Sequence, residues 1–178
     1  TGEGLGNKFL SQIRNVDAII HVVRCFENKD IAHVDGEINP IRDIETINTE
    51  LILKDIESVD KRIKSIEKLA KSGDKDSKYE FELLIKISNH LDSGDLIINL
   101  DLSDDEKLKL KSFSLLTSKP IIFIANISDD DLISQSNKHC KSLSLYTKEK
   151  NKPLIQLSGS IEMEIAGIAK EEQTEYLN

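Results

Sequence analysis

A chain of 178 residues with 38% hydrophobic content has enough apolar material for one ordinary domain, or for a core with an appendage. Its net charge of -8 counts against a globally basic nucleic-acid binder, and 4% aromatics with no tryptophan count against a surface of base-stacking platforms. No apolar run nears the ~20 residues that cross a bilayer and no signal peptide is present, while two cysteines far apart in sequence suit a reducing cytosol, not a disulfide scaffold.

Gly2, Gly4 and Gly6 predict a glycine-rich loop, followed by an amphipathic helix with Leu5, Phe9, Ile13 and Val16 on one side. The phosphate-binding alternative is weak, because Asn7-Lys8-Phe9 does not supply the Gly-Lys-Ser/Thr ending of a P-loop. The dinucleotide fingerprint also needs a strand ahead of it, and none precedes. Ala18–Cys25 (AIIHVVRC) reads as a buried strand. On a strand His21 and Cys25 stand roughly 13 Å apart, and His139 and Cys140 diverge on a helix, so no metal site is expected. Phe26–Arg42, rich in Asp, Asn and Gly, reads as a long surface loop, of the kind that is usually functional or mobile.

From Asp43 the pattern changes to a coiled-coil seam. Ile52, Ile56, Val59, Ile63, Ile66 and Ala70 recur at alternating spacings of four and three. Ser72-Gly73-Asp74 breaks the helix, and Lys78–Leu91 resumes it with Phe81, Leu84, Ile85, Ile87 and Leu91. The expected result is an antiparallel helical hairpin inserted over residues 43–95, between α/β parts at 1–42 and 96–178. Between Lys61 and Lys78 seven basic residues face three acidic ones, against an acidic chain. Lys61, Arg62, Lys64, Lys68 and Lys71 therefore make a candidate contact for RNA or the ribosome, the bland alternative being a solvated helix face.

Ser103 followed by Asp104, Asp105 and Glu106 is a helix start, predicting a helix over Asp104–Leu115. Lys119–Asp131 (KPIIFIANISDDD) is the stretch that organises the rest. Ile121–Ala125 is an unbroken apolar run, the mark of a parallel strand buried on both faces. It stops at Asn126, where an Asn-x-x-Asp loop begins at the carboxyl end of the strand, the usual ligand position in open α/β sheets. The plainer alternative is that Asn126 and Ser128 shape a turn while Asp129 caps the next helix. Asp130–Lys150 reads as one helix, Pro153–Leu157 as a third strand, and Ser158-Gly159-Ser160 as a small-residue turn that admits a ligand to its backbone N–H groups. Residues 170–178 are expected to be a frayed or helical end. In a parallel sheet the two polar turns share one edge, near enough to hold a planar base between them.

These turns lie as in the base-binding half of P-loop GTPases, but Ile127 stands where an Asn-Lys-x-Asp motif has its lysine. With GEGLGNKFLSQIRNVDAIIHVVRCFEN, DIAHVDGEINPIRDIETINTEL and SIEMEIAG, the chain resembles the YchF/Obg-like ATPase family over essentially its whole length. The resemblance implies the C-terminal half of a Ras-like P-loop G domain, three parallel strands with helices, carrying an inserted coiled-coil hairpin. It implies a cytoplasmic, translation-associated protein that hydrolyses ATP, or GTP, with Mg²⁺. Asn126 would brace the base-reading loop, the backbone of Ile127 would read adenine's edge, and Ser158, Gly159 and Ser160 would approach from the other turn. Asp129 departs from the family's glutamate in Asn-x-x-Glu, which leaves ATP over GTP less secure.

The family's P-loop, switch threonine and Asp-x-x-Gly precede the GEGLGN stretch, and a TGS domain follows. The chain, which opens without an initiator methionine, is thus expected to be a fragment that binds no nucleotide tightly and hydrolyses little or none. Ala18–Cys25 would be a bare apolar edge prone to self-association. The reading from another class is a coiled-coil interaction module whose α/β platform binds no nucleotide.

Overall fold

The computed structural model describes residues 2–28, 31, 36–134, 136–169 and 173, with backbone alone for 2–5 and 7. The expected frayed end at 170–178 lies outside the described residues apart from residue 173, and so does most of 29–35. Packing sorts the chain into two compact units, Thr1–Ile19 with Glu45–Pro120 and Ile20–Ile44 with Ile121–Asn178. These divide the chain at 19, 44 and 120, whereas the sequence pattern changes at 42 and 95.

In the first unit, α1 (Gly2–Ile13) takes in the three glycines, so the expected glycine-rich loop is instead the start of a helix. Phe9 on that helix is 60% exposed and Val16 beyond it 43%, so the predicted apolar side is not a buried one. Helix α2 (Pro40–Lys71) and helix α3 (Lys75–Asp92) form the hairpin, joined where Gly73 takes a φ of +97°. Ile52, Val59 and Ile66 of α2 meet Leu83, Leu84, Ile87 and Leu91 of α3 in one apolar cluster. That is the seam the four-three spacing predicts. Two boundaries shift for local reasons. α2 starts at Pro40, a residue whose missing N–H is harmless in a first helical turn, and α3 starts at Lys75 because Asp74 accepts from the Ser77 N–H at 2.8 Å.

Helix α4 (Asp104–Lys111) has the N-cap its sequence announces, and the structure extends it to a capping box, with Ser103 and Glu106 bonding each other's backbone N–H. It stops short of the predicted Leu115 because the following residues are needed elsewhere. Asp55 of α2, wholly buried, accepts from the Leu116 N–H at 2.9 Å, the Thr117 N–H at 2.7 Å and the Thr117 Oγ1 at 2.9 Å. Arg14 Nη1 lies 3.3 Å from the same carboxylate. A helix through 112–117 would spend those N–H groups on its own carbonyls.

The second unit is a sheet of β1 (Ile19–Arg24), β2 (Ile121–Asn126) and β3 (Leu154–Leu157), in the order β1-β2-β3. β2 and β3 are parallel, with Phe123 opposite Leu154 and Asn126 opposite Leu157. The Ile19 N–H donates to Pro120 O and the Cys25 N–H to Asn126 O, so β1 climbs in step with β2. Between β2 and β3 run α5 (Asp129–Ser134) and α6 (Lys138–Glu149), and α7 (Gly159–Gly167) follows β3. Thus the single helix expected over 130–150 is two.

Beneath α6 the sheet is closed: Phe123 and Ala125 are buried with Cys140 and Leu143, and Phe123 meets Tyr146 edge-on at 6.3 Å. The other face differs from expectation. Ile20 and Val22 of β1 are 61% and 57% exposed and Ile155 of β3 is 52% exposed, so AIIHVVRC is covered on one side only. An apolar run reports that no charge intervenes, not that both faces find a neighbour.

A second buried carboxylate ties the hairpin to α4. Glu80, 5% exposed, receives Arg62 Nε at 2.5 Å and Lys109 Nζ at 2.5 Å on its two oxygens. Burial pushes its pKa up, but the hydrogen bonds from Arg62 and Lys109 outweigh burial and leave it below the ordinary 4.5. Because the folded pKa is the lower one, the stabilisation is full above the unfolded value and fades as pH falls through the folded one. Glu80→Gln should lower the unfolding free energy by roughly 3 kcal/mol near pH 7. Urea titrations across pH should show the gap between wild type and variant closing below pH 4.5.

Candidate functional site

Asn126 and Leu157 end their strands on the same rung, so the loops that leave β2 and β3 start level with one another. The Asn126 Oδ1 accepts from the Gly159 N–H at 3.0 Å, across the gap between them. A Cβ on residue 159 would stand 3.3 Å from that Oδ1, so glycine is what lets the amide come so close. Among the described residues nothing accepts from the Asn126 Nδ2.

A second set of bonds joins the same two turns. Asp129 Oδ1 accepts from Ser158 Oγ and, at 2.5 Å, from Ser160 Oγ, and the two serine oxygens are 2.8 Å apart. Each hydroxyl has one proton to give, and the short contacts to Asp129 are where those protons go. The hydrogen bonds from Ser158 and Ser160 hold the Asp129 carboxyl below its usual range, against the opposing effect of desolvation. Ser158 is 2% exposed, and its carbonyl receives the Glu162 N–H in the first turn of α7.

Five of the six residues picked from sequence, Asn126, Asp129, Ser158, Gly159 and Ser160, are brought together in this way. They touch one another directly. Ile127 is different. Its side chain is 3% exposed and its N–H donates to Leu157 O at 3.0 Å, extending the sheet ladder, so this N–H is already taken.

The capping role weighed for Asp129 belongs to Ser128. Its Oγ accepts from the Asp131 N–H at 3.3 Å and donates to Asp131 Oδ2 at 2.6 Å, starting α5 and leaving the Asp129 carboxylate to the neighbouring turn.

Asn137 is a residue that the sequence pattern passed over. Its Oδ1 accepts from the Cys140 N–H at 2.8 Å, while its Nδ2 donates to Cys25 O at 2.6 Å and Asp131 Oδ2 at 2.7 Å. The available signal was an asparagine three residues before Cys140, the spacing of an N-cap. A cavity of about 300 Å³ borders Asn137, Asp131, Cys140, Lys141, Ser144 and Gln156, and shares only Ile127 with the six. Burial pushes the Cys25 thiol up to about 12, with the nearby Cys140 and Asp43 adding to it, so this sulfur stays protonated. Among the described residues no group of three His, Cys, Asp or Glu could hold a metal ion.

The basic stretch of the hairpin carries less free charge than its count suggests. Arg62 is spent on Glu80, and Lys71 pairs with Glu67 at 2.5 Å. Lys61, Lys64 and Lys68 are exposed, and none has an ion-pair partner among the described residues.

No protein-family model matches the chain. It is 46% identical over 177 residues to the ribosome-binding ATPase YchF of Bacillus subtilis, covering 99% of this chain and 48% of that protein. To the protein of the same name from Pasteurella multocida it is 44% identical over 176 residues, with the same shares covered. A solved structure of the Schizosaccharomyces pombe YchF GTPase superposes with a TM-score of 0.84 at 34% identity, over 96% of this chain and 47% of that one. The chain therefore spans about half the length of the relatives it matches. The family resemblance read from the sequence holds along the whole chain, and so does the fold: half of a P-loop G domain, three parallel strands with helices, with a helical insertion.

The Asn126 bridge has a direct readout. Asn126→Ala removes the side-chain acceptor of the Gly159 N–H. Amide exchange at Gly159, followed by NMR, should quicken about tenfold, the worth of one hydrogen bond, while amides in the α2–α3 hairpin keep their protection.

Proposed function

We propose that this chain, similar throughout its length to one half of the YchF proteins, is the base-contacting part of a translation-associated nucleotide hydrolase. The observation that supports this best is the pair of turns bonded through Asn126–Gly159 and Asp129–Ser158/Ser160, at the carboxyl ends of adjacent parallel strands. Against them a purine would take one donor, the Asn126 Nδ2, on its ring nitrogen. Adenine would also give its amino group to the Ile127 carbonyl. ATP fits that arrangement, with GTP as the competing substrate, and the reaction yields the nucleoside diphosphate and phosphate.

The chain's own residues do not fit Mg²⁺ or a triphosphate. The P-loop consensus is missing from the sequence, and no metal-holding cluster exists among the described residues. Phosphoryl transfer rests on positioning and on charge stabilisation at the phosphoryl oxygens. These 178 residues alone are therefore proposed to bind nucleotide weakly and to hydrolyse none. Lys61, Lys64 and Lys68, with Arg62 and Lys71 beside them, are the proposed contact for ribosomal RNA or an acidic ribosomal surface. The proposed site of action is the cytoplasm; among the described residues no helix is long and apolar enough to cross a membrane.

One observation favours the reading of an interaction module without nucleotide: the two turns bond directly to one another through Asn126–Gly159 and Asp129–Ser158/Ser160, as in a structural clasp. Titration of fluorescent ATP and GTP into the full-length protein separates the two. Asn126→Ala should weaken binding about tenfold, the worth of one hydrogen bond in a desolvated site. Equal affinity in a variant that keeps its urea midpoint would leave the module reading standing.

Self-association belongs to the same proposal. β1 lies at the end of the sheet order and presents Ile20 and Val22 to solvent, an edge that invites pairing with a second copy. Light scattering on the 178-residue chain should show a mass that rises with concentration. A constant monomer mass would count against the edge.

A further inference from the structure

Asp129 has two oxygens, and they are not equivalent. Oδ1 receives both serine hydroxyls, while among the described residues Oδ2 receives nothing. An ionised carboxylate offers about four lone-pair sites, two on each oxygen. Ser158 fills one site of Oδ1 and Ser160 fills the other.

Guanine presents two parallel donors, the ring N1–H and the 2-amino group, and a carboxylate reads the pair by offering one oxygen to each. Adenine has no such pair: its N1 is an acceptor and position 2 carries only hydrogen. An aspartate with one oxygen already full can satisfy one guanine donor and must leave the other unpaired. A buried polar group without its partner is what turns a good ligand into a poor one. Adenine is indifferent to the state of Oδ1.

We propose that Ser160 is a specificity-determining residue, which closes the second site of Asp129 Oδ1 and thereby prevents the carboxylate from reading guanine. The two serines have different parts in this. Ser158 is buried and caps α7 through its carbonyl, so its hydroxyl belongs to the framework of the turn. Ser160 is exposed, and its side chain has no bonds beyond those to Asp129 and Ser158. Removing the Ser160 hydroxyl returns one acceptor site to the carboxylate and disturbs little else. The proposal rests on the base-site reading above, which places a purine against Asn126 and Asp129.

The test uses the full-length protein and competition of ATP, GTP and ITP against one fluorescent nucleotide. ITP is GTP without the 2-amino group, so it counts the second carboxylate bond directly. In the wild type ITP should compete better than GTP, because its one donor finds Oδ2 and it has no second donor to leave unpaired. In Ser160→Ala the GTP-to-ATP and GTP-to-ITP affinity ratios should both rise about tenfold, the worth of one hydrogen bond to a charged acceptor. Ser160→Thr keeps the hydroxyl and should keep the wild-type ratios.

Unchanged ratios in Ser160→Ala would overturn the proposal. So would a joint gain by GTP and ITP, which would mean a loosened site and not a freed oxygen. If Asn126→Ala alters the affinity of no nucleotide, the base-site reading itself has failed, and this failure is distinct from unmoved ratios in a protein whose Asn126→Ala variant binds weakly.

Discussion

Two parallel strands that end on the same rung send their loops out side by side, and the next few residues have no choice but to meet. Asn126 and Leu157 are such a pair. A slip of one residue between β2 and β3 would turn every side chain of one strand to the opposite face, taking the Asn126 amide away from the Gly159 N–H. The register is held by what lies under α6. Phe123 and Ala125 are buried there and cannot trade places with Ile122 or Ile124 without carrying α6 with them. The polar turns are thus positioned by an apolar constraint several residues upstream, and their own hydrogen bonds complete an arrangement the sheet has already fixed.

The hairpin unit solves a different problem, which is how to bury acids. Asp55 and Glu80 are both almost fully enclosed, and each is surrounded by donors that come from outside its own helix. Asp55 draws on two backbone N–H groups, a threonine hydroxyl and Arg14; Glu80 draws on Arg62 and Lys109. A buried carboxylate lacking such donors is destabilising by several kcal/mol, so these donors fix their segments as firmly as an apolar contact does. Arg62, counted from sequence as part of a basic surface, gives its Nε to Glu80 while its side chain stays exposed.

What was legible in the sequence was what repeats at short range. The hairpin seam, the N-cap at Ser103 and the apolar run before Asn126 all appear as local spacing, and the structure has each of them. What was hidden depends on partners far along the chain. Nothing near Asp55 announces that Leu116 and Thr117 will need it, and nothing in AIIHVVRC says that Ile20 and Val22 will face solvent. The three glycines near the start misled because glycine's cost in a helix, about 1 kcal/mol relative to alanine, disfavours a helix without forbidding it. The break between α5 and α6 turns on Asn137, whose single amide reaches Cys25, Asp131 and Cys140 at once. In the site itself the residue types were legible, but the order of their bonds was not. Ser128 caps α5, and Asp129 is thereby released to the serines.

The acid at position 129 and the Ser-Gly-Ser turn act as one unit. In the pattern this chain resembles, the residue there is a glutamate, whose extra methylene carries the carboxylate further from its own backbone. Aspartate is shorter, and its Oδ1 stays within reach of Ser158 and Ser160. A short acid facing solvent would be the form suited to guanine, yet a short acid held by two hydroxyls has half of its acceptor capacity withdrawn. The substitution that makes the motif look more like a guanine reader also brings the carboxylate to the one place where the adjoining turn can occupy it. Base preference in such a site follows from how many lone pairs the protein leaves open, and the identity of the acid decides it only through that count.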